Sequence, residues 1–306
     1  MHRHYGVINN YFLGSHYLRI HAIQSKSNKR INMNPIDYAI TFACYNQVEY
    51  TRQCVNSMIK HGVDLNRLVV VDNGSTDETR SYLETLSLGG CIFNKVNLGC
   101  GVAWNQGALA LQSEWTIVMN NDVLVSHGWI ENMINAAVQN GLKIISPALI
   151  EGPLDYNFDT FAVESSAKMK NALRVGHRHA VCLAVHKSVW LEIGYFQPIP
   201  KLLGYEDSMF FHEADKAGIP SGMTGAAWLH HYGSVTLSEM KQERGLSEKD
   251  GLGYRYNYRL LQQSWMERKF KKIRRIRQQK LWCEQELAQY GMSMHGIREK
   301  GSFTWR

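Results

Sequence analysis

The chain has 306 residues, of which 44% are apolar, and its formal net charge at pH 7 is +7. This apolar share is enough for a sizeable hydrophobic core and excludes a chain that is disordered throughout. The charge is unevenly placed, because residues 266–280 hold eight Lys or Arg and one Glu, which leaves the rest of the chain neutral. The six cysteines show no Cys-x-x-Cys spacing, no stretch reaches the roughly 18 uninterrupted apolar residues of a membrane span, and the N-terminus lacks the apolar centre of a signal peptide. These features favour a protein that stays in the reducing cytoplasm.

In chain order, residues 1–32 come first, rich in His and basic residues with weak periodicity, which predicts a poorly ordered N-terminal extension. Strands and helices then alternate, as judged from apolar periodicity and turn residues. The predicted elements are a strand at 37–44, a helix at 49–61, a strand at 67–71, a helix capped by residues 75–78, a strand at 91–94, a helix in the second half of 97–112, a strand at 115–119, a helix at 129–139 and an apolar segment at 143–150. Further on, residues 180–190 read as one buried strand and 204–218 as a helix, and beyond about residue 240 the chain is charged and helical.

This alternation predicts an α/β sheet with parallel strands and right-handed crossovers. Ligands of such sheets bind beyond the carboxyl ends of the strands. Three polar clusters follow predicted strands here, namely Tyr45-Asn46, Asp72-Asn73-Gly74 and Asn120-Asn121-Asp122. Their recurrence favours one shared site over three unrelated turns.

Two carboxylates in these clusters have competing interpretations. Asp72 precedes Asn-Gly, so it is a turn former that satisfies its own backbone, or else a carboxylate that accepts hydrogen bonds from a base or ribose. Asp122 follows two amides, and such oxygen ligands suit Mg²⁺ or Mn²⁺, which complete their shell with water and phosphate. An Asn-rich turn is equally supported at Asp122, and both alternatives stay open on the residues alone.

Two other pairs of residues carry candidate chemistry. Glu206 and Asp207 stand at a predicted helix start, where acidic residues commonly complement the helix dipole, and where one of them could act as a general base. His230 and His231 follow the apolar run GAAWL, and one of them could complete a metal site. A structural role is the more common one for each pair when it is taken alone.

The basic segment 266–280 places Met266, Phe270, Ile273 and Ile276 at helical spacings among its cations. Basic amphipathic helices lie on anionic membrane surfaces or bind nucleic acid. Because the charge is confined to this one segment and no recognition motif accompanies it, no nucleic-acid partner is expected. The pattern predicts peripheral contact with the inner face of a membrane.

Seven stretches of the chain, taken in order, resemble the successive motifs of family 2 glycosyltransferases. They are ITFACYNQVEYTRQCVNSM, LVVVDNGSTDET, NLGCGVAWNQG, WTIVMNNDVLV, HAVCLAVHKSVWLEIGYF, GYEDSMFFHEADKAG and LHHYGSVT. The resemblance covers roughly residues 36–240, and the order and spacing of the set are more specific than any single motif. It implies a GT-A fold, in which a mixed, mostly parallel sheet is flanked by helices. This catalytic domain would occupy residues 33–240, with a basic helical C-terminal region at 241–306.

The resemblance also implies a metal-dependent, inverting hexosyl- or deoxyhexosyltransferase that uses a UDP- or dTDP-sugar and Mg²⁺ or Mn²⁺. Carried over by position, the resemblance implies a nucleotide site in which Ala43 and Tyr45 border the base, Asp72 binds the base or ribose, and Gly99 and Asn105 flank the nucleotide. It implies a metal motif that includes Asn121, with Asp122 as the metal ligand and His230 in contact with the metal or diphosphate. Glu206 and Asp207 would form the family's Glu-Asp pair, with Asp207 as general base. A saccharide or a lipid-linked glycan is the expected acceptor, as in the assembly of a surface polysaccharide.

Two alternatives belong to other classes. A nucleotidyltransferase of related fold is expected to carry a Gly- and Arg/Lys-rich phosphate loop after its first strand, where this chain has CYNQVEYT. A non-catalytic sugar-binding or scaffold protein would account for the amides at Asn120 and Asn121. The presence of Glu206-Asp207 and His230 argues against that second alternative.

Overall fold

The computed structural model describes residues 36–199, 205–233, 240–241, 245 and 261–306. The extension predicted at residues 1–32 lies outside the described residues. The strands are β1 (Tyr38–Cys44), β2 (Leu68–Asp72), β3 (Gly90–Phe93), β4 (Trp115–Asn120), β5 (Val123–Val125), β6 (Ile144–Glu151), β7 (Leu173–Val175), β8 (Cys182–His186), β9 (Ser221–His231), β10 (His295–Glu299) and β11 (Ser302–Trp305). The α-helices are α1 (Val48–Lys60), α2 (Thr79–Glu84), α3 (Cys100–Ala110), α4 (Trp129–Gln139), α5 (Phe158–Met169), α6 (Lys187–Ile193), α7 (Glu206–Lys216) and α8 (Trp265–Tyr290).

The strands form one mixed sheet with the order β11-β10-β6-β8-β4-β1-β2-β3, and β5, β7 and β9 pair beside this path. The first half of the chain builds the parallel part, because β1 pairs in parallel with both β2 and β4. The direction reverses at β8, which is antiparallel to β4 and to β6. The predicted α/β class with parallel pairs is therefore confirmed.

The sheet lies between two layers of helices because its central strands are apolar on both faces. Along β4, Trp115, Ile117 and Met119 face one core, and Val118 faces the other, as the alternation of side chains along a strand requires. The first core includes side chains of α1, α4 and α5, and the second includes side chains of α3, α6 and α7. Strands buried on both faces read as continuous apolar runs, which is why this part was predictable.

Helix α3 packs unusually close to the sheet. A Cβ atom at Gly107 would collide with Oγ1 of Thr41 on β1, so this position requires glycine. The close approach sets where α3 begins, and its first residue, Cys100, lies near the strand ends discussed below.

The predicted C-terminal helix is present as α8, but residues 295–305 form two strands that the sequence did not predict. β10 pairs in parallel with β6, and β11 pairs antiparallel with β10. The pairing partner of β10 lies almost 150 residues earlier in the chain, since His295 stands opposite Leu149. Short strands of this kind are defined by distant pairing rather than by their own periodicity. The second half of the strand predicted at 180–190 also differs, because the strand ends at His186 and α6 follows.

A buried ion pair anchors the end of α8. The guanidinium of Arg174 on β7, 1% exposed, donates through Nε to Glu286 Oε1 at 2.7 Å and through Nη2 to Oε2 at 2.8 Å. The same Nη2 donates to Ser293 Oγ at 2.7 Å, and Glu286 also accepts from the Met294 N–H at 2.8 Å. The additional hydrogen bonds supply the satisfaction that a buried pair needs. This network holds the segment that leads into β10.

Candidate active site

The carboxyl ends of β1, β2 and β4 meet at one edge of the sheet. In the strand register Cys44 lies beside Asp72, and Ala43 lies beside Asn120. The three polar clusters that the sequence singles out therefore follow neighbouring strands, and the prediction that they share one edge is confirmed.

The turn after β1 is braced against the turn after β2. Asn46 and Gln47 both have left-handed backbone conformations, with φ of 50° and 55°. Side chains compensate for this strain, since the Asn46 N–H donates to Ser75 Oγ at 2.8 Å and Asn46 Oδ1 accepts from the Thr76 N–H at 2.8 Å. Asp77 accepts from the Val48 N–H at 3.0 Å and so fixes the start of α1. The half-buried Tyr45 is carried by this braced turn.

Asp72 is 2% exposed, and its Oδ1 accepts from the Ser75 N–H at 3.0 Å. The turn-forming interpretation of Asp72 is thus correct for one carboxylate oxygen. The role in binding a base or ribose remains a prediction.

The neighbouring Asn73 has a structural task that the sequence did not reveal. Its Nδ2 donates to Asn97 Oδ1 at 2.9 Å and to the Gly99 carbonyl at 3.3 Å, and its Oδ1 accepts from the Leu98 N–H at 3.0 Å. Gly99 has φ 89° and ψ 157°, a conformation accessible essentially to glycine alone, and α3 begins directly after it. Asn73 therefore fixes the backbone at which the predicted nucleotide-flanking Gly99 lies.

Asn105 and Asn121 direct their amides into the protein. Asn105 Nδ2 donates to the Phe196 carbonyl at 2.7 Å, and Asn105 Oδ1 accepts from the Phe196 N–H at 3.1 Å. Asn121 Nδ2 donates to Oγ1 of Thr51 on α1 at 2.9 Å. Both side chains hold neighbouring segments in place, and their predicted contacts with the nucleotide remain predictions.

Asp122 is buried beside His231. Its Oδ1 has no hydrogen bond of good geometry with any residue that the structure describes, and His231 Nε2 lies 3.3 Å away. Asn120 Nδ2 lies 3.5 Å from the same ring nitrogen. A buried carboxylate oxygen without a hydrogen bond is costly unless a cation occupies the place beside it.

His230, the histidine assigned by position, lies among aromatic rings. It is fully buried, its Nδ1 lies 3.0 Å from the Tyr156 hydroxyl, and the rings of Tyr156, Phe158 and Tyr232 surround it. Burial lowers the pKa of His230 to about 4, so the ring is neutral. Neighbouring residues on a strand face opposite sides of the sheet, so only one histidine of the pair can face the strand-end site. The sequence identified the pair but not which of the two lies beside Asp122.

The electrostatics of His231 depend on two carboxylates. Glu151 Oε1 lies 3.4 Å from His231 Nδ1, on the side of the ring away from Asp122. Burial lowers the pKa of His231, but the contacts with Asp122 and Glu151 outweigh it and raise the pKa to about 9. Hydrogen bonds from His231 and His295 hold the pKa of Glu151 well below its usual range. Without another cation, the site thus holds an imidazolium between two carboxylates.

The donor set at this place fits a divalent cation. Two neighbouring ligands of an octahedral Mg²⁺ lie about 3 Å apart, since each stands about 2.1 Å from the ion. The separation of 3.3 Å between Asp122 Oδ1 and His231 Nε2 is close to that value. A carboxylate and an imidazole are ligands that Mn²⁺ also accepts.

Glu206 and Asp207 begin α7 after Tyr205, which has a left-handed φ of 76°. The two helices α3 and α7 are close here, because a Cβ atom at Gly101 would lie 3.2 Å from Glu206 Cβ. Asp207 Oδ1 accepts from the Ser208 N–H at 2.7 Å, and both acidic residues lie in the first turn of the helix, where they complement its dipole. Burial raises the pKa of the Asp207 carboxyl above its ordinary value, although the bonds from Ser208 oppose this.

Three acidic residues of the candidate site affect the pKa of Cys100, the first residue of α3. Burial, together with the negative charges of Glu206, Asp122 and Asp207, raises the pKa of the Cys100 thiol far above its usual range. Charges in the interior are weakly screened, so these three carboxylates act on the thiol at the start of α3.

Known proteins share part of this chain. A model of the family described as "Glycosyl transferase family 2" matches residues 40–188. An uncharacterized glycosyltransferase of Rickettsia felis is 29% identical over 113 residues, which are 36% of this chain and 19% of that protein. Another, of Rickettsia typhi, is 32% identical over 99 residues, which are 32% of this chain and 30% of that protein. The matched part thus spans less than a third of either relative.

Two solved structures resemble about two thirds of this chain. The crystal structure of GalNAc-T7 with UDP, GalNAc and Mn²⁺ superposes with a TM-score of 0.53 at 13% identity, covering 65% of this chain and 44% of that one. The structure of Staphylococcus aureus TarS, residues 1–349, gives a TM-score of 0.50 at 14% identity and covers 68% of this chain and 64% of that one. At such identities these likenesses establish the fold alone, and the predicted GT-A fold is confirmed.

Proposed function

The chain belongs to glycosyl transferase family 2 through residues 40–188, and on this basis we propose that it moves a sugar from a nucleotide-diphosphate donor to an acceptor hydroxyl. One observation carries the proposal. Asp122 lies buried at the edge where β1, β2 and β4 end, with an oxygen that accepts no hydrogen bond from the described residues and with His231 Nε2 3.3 Å away. GalNAc-T7, whose fold resembles that of this chain, was crystallised with UDP, GalNAc and Mn²⁺, which supports a nucleotide and a divalent cation as ligands.

The nucleoside of a UDP- or dTDP-sugar binds along the ends of β1 and β2. Ala43 and Tyr45 border the base, and Asp72 accepts a hydrogen bond from the base or ribose. The braced turns after the two strands hold these residues in place before the donor arrives, which lowers the entropic cost of binding. Gly99 lets the backbone before α3 approach the nucleotide.

Asp122 and His231 would hold Mg²⁺ or Mn²⁺. A bound ion would supply a positive charge that stabilises the departing nucleoside diphosphate without requiring a proton. Asn120 lies 3.5 Å and Glu151 lies 3.4 Å from the ring of His231, so both orient it. His230 stays in its aromatic cluster and does not contact the ion.

Asp207 takes the proton from the acceptor hydroxyl. Its raised pKa brings the carboxylate closer to the pH at which it works, and this favours general-base catalysis. The hydroxyl attacks the anomeric carbon opposite the leaving group, so the configuration is inverted and no covalent enzyme intermediate forms. Glu206 fixes the first turn of α7 against α3.

The acceptor is a lipid-linked glycan at the inner face of a membrane, of the kind used in surface-polysaccharide assembly. Support comes from α8, whose residues 269–278 are all exposed and whose apolar side chains include Phe270 at 68% exposure. Basic residues surround these side chains, as in helices that lie on anionic bilayers. Among the described residues, no helix combines the length and apolar character needed to span a bilayer.

A thermal-shift experiment tests the donor and cation part of this proposal. UDP, dTDP and GDP are added with and without Mn²⁺, and at least one nucleotide should raise the melting temperature only when Mn²⁺ is present, because a ligand that binds the folded state stabilises it. Asp122→Ala should lose this metal-dependent shift, whereas Thr304→Ala, an exposed position on β11, should keep it. The absence of a metal-dependent shift with every nucleotide would count against the proposal.

A further inference from the structure

Four side chains in successive contact connect β10 with the candidate cation site, in the order His295, Glu151, His231 and Asp122. His295 Nε2 lies 2.8 Å from Glu151 Oε2. The other oxygen, Glu151 Oε1, lies 3.4 Å from His231 Nδ1, and His231 Nε2 lies 3.3 Å from Asp122 Oδ1. His295 and Asp122 are 173 positions apart in the sequence, and the pairing of β10 with β6 connects them through Glu151.

Strand β10 packs closely against the end of β6. Gly152 has φ 115°, and a Cβ atom there would collide with the Arg298 carbonyl of β10. A Cβ atom at Gly296 would lie 2.7 Å from Ile150 Cδ1 on β6. On its other side Gly152 donates its N–H to the His231 carbonyl at 3.0 Å. The end of β6, which carries Glu151, is thus held between β9 and β10.

The hydrogen bonds of Glu151 determine how His231 presents its ring. An ionised carboxylate only accepts hydrogen bonds, so Nδ1 of His231 and Nε2 of His295 must be the donors. With both oxygens engaged from opposite sides, Glu151 is restrained to one rotamer. When a cation is bound, His231 would keep its proton on Nδ1 and present the lone pair of Nε2 to the ion, which is the arrangement that metal-binding histidines require.

We infer that His295, acting through Glu151, is a positioning residue for His231, and that β10 is the outer support of the cation site. This inference rests on the proposed binding of a cation by Asp122 and His231. It goes beyond it in assigning a role to a strand at the opposite end of the chain from the motifs of residues 40–188. The Arg174–Glu286 pair and Ser293 support the same strand by holding the segment before it.

Removing an outer-shell partner of a metal-binding histidine typically lowers metal affinity about 10–100-fold. Glu151→Gln replaces one accepting oxygen by an amide donor, so it should weaken Mn²⁺ binding by this factor. His295→Ala removes the donor and should have a similar effect. His295→Gln keeps an N–H at the end of the side chain and should restore most of the affinity.

The test uses the full chain and Mn²⁺, titrated in the presence of UDP, with free Mn²⁺ followed by electron paramagnetic resonance and buffer containing Mn²⁺ and UDP as the blank. Pulsed measurements on bound Mn²⁺ report the ¹⁴N coupling of a coordinated imidazole. The coupling should be present in the wild type, weakened in Glu151→Gln and His295→Ala, and restored in His295→Gln. Thr304→Ala serves as the matched control on β11 and should resemble the wild type.

The outcomes separate the inference from the proposal on which it rests. Wild-type affinity and undiminished ¹⁴N coupling in both Glu151→Gln and His295→Ala would overturn the inference alone. A wild type that binds no Mn²⁺ beyond the blank would overturn the cation site and the inference with it. If His295→Ala does not fold, the comparison of Glu151→Gln with His295→Gln decides, because only the first disrupts the acceptor.

Discussion

Two adjacent histidines have different surroundings at the end of β9. His231 contacts Asp122, Asn120 and Glu151, whereas His230 contacts Tyr156 and other rings. The sequence places both after an apolar strand, and the face of each depends on the register with β5, in which Val123 pairs with His231. Local sequence contains no record of that register.

We expect His231→Ala to lower the affinity for Mn²⁺ more than a change in an outer-shell residue does, because a ligand of the ion is lost. Outer-shell changes typically lower metal affinity about 10–100-fold. His230→Phe should leave Mn²⁺ affinity unchanged and cost about 0.5–1.5 kcal/mol of stability, because it loses the bond to the Tyr156 hydroxyl. Isothermal titration with Mn²⁺ and urea unfolding measure the two effects. The reverse pattern would assign the cation to His230.

The raised pKa of Asp207 predicts the acidic limb of the pH profile. Burial disfavours the charged carboxylate, so the pKa lies above the ordinary Asp value of about 3.9. A general base must be ionised, so kcat/KM is full above this pKa and falls about tenfold per pH unit below it. Asp207→Asn should lower kcat by about 10²–10⁴-fold and lose the limb. An unchanged limb in that variant would assign it to another group.

The sequence singled out Asp72 and Asp122 because polar residues after apolar runs are visible locally, and it singled out Asp207 through the resemblance of its motif. It did not reveal what Asn105 and Asn121 contact, since their partners are the backbone of Phe196 and the hydroxyl of Thr51, which are 91 and 70 positions away. An amide that holds the fold and an amide that binds a ligand look alike in a sequence. The difference is visible only in the folded chain.

The two ends of helix α8 differ in their exposure to solvent. Its end is tied down by Glu286, while Trp265, Met266 and Phe270 at its beginning are 60% exposed or more. This helix was predictable from its spacing of apolar residues. Strands β10 and β11 were not, because they have only five and four residues, and because β10 depends on the distant β6 for its pairing.

We expect α8 to bind anionic bilayers. Exchanging Lys271, Lys272, Arg274 and Arg275 for Gln removes four cations, each contributing about 1 kcal/mol near such a surface, so the affinity should fall about a thousandfold. Sedimentation with phosphatidylglycerol vesicles measures the loss, and neutral phosphatidylcholine vesicles are the blank. Lys170→Gln with Lys216→Gln, two exposed cations outside α8, is the control. Equal binding by the fourfold variant would contradict the role of α8.

The buried pair between β7 and α8 makes a prediction about stability. Glu286→Ala leaves the Arg174 guanidinium buried without its carboxylate, so the free energy of unfolding should fall by about 3–5 kcal/mol. Replacing both partners by apolar residues, Arg174→Met with Glu286→Leu, should cost less, because no charge is left unpaired. Urea unfolding compares the two. A larger loss in the double variant would contradict this description of the pair.

For the molecule as a whole, the alternation of apolar runs and turn residues was sufficient to predict the parallel half of the sheet and the edge where the site lies. Strands β7, β9 and β10 depend on pairing across long sequence separations, and β11 joins the sheet only through its hairpin with β10. The same long-range pairing brings His295 to Glu151, beside the proposed cation site. The residues outside 40–188 therefore complete a site whose motifs lie mostly within that range.

The central claim is that this GT-A domain transfers a sugar with the help of a cation held at Asp122. The most direct measurement is the release of nucleoside diphosphate from a panel of UDP-, dTDP- and GDP-sugars. Water serves as the acceptor, so that no acceptor sugar has to be known. Wild-type protein with Mn²⁺ should release the nucleotide from at least one donor. EDTA and Asp122→Asn should abolish the release, Asp207→Asn should slow it about 10²–10⁴-fold, and Thr304→Ala should leave it unchanged. No release from any donor, or equal release by Asp122→Asn, would contradict the claim.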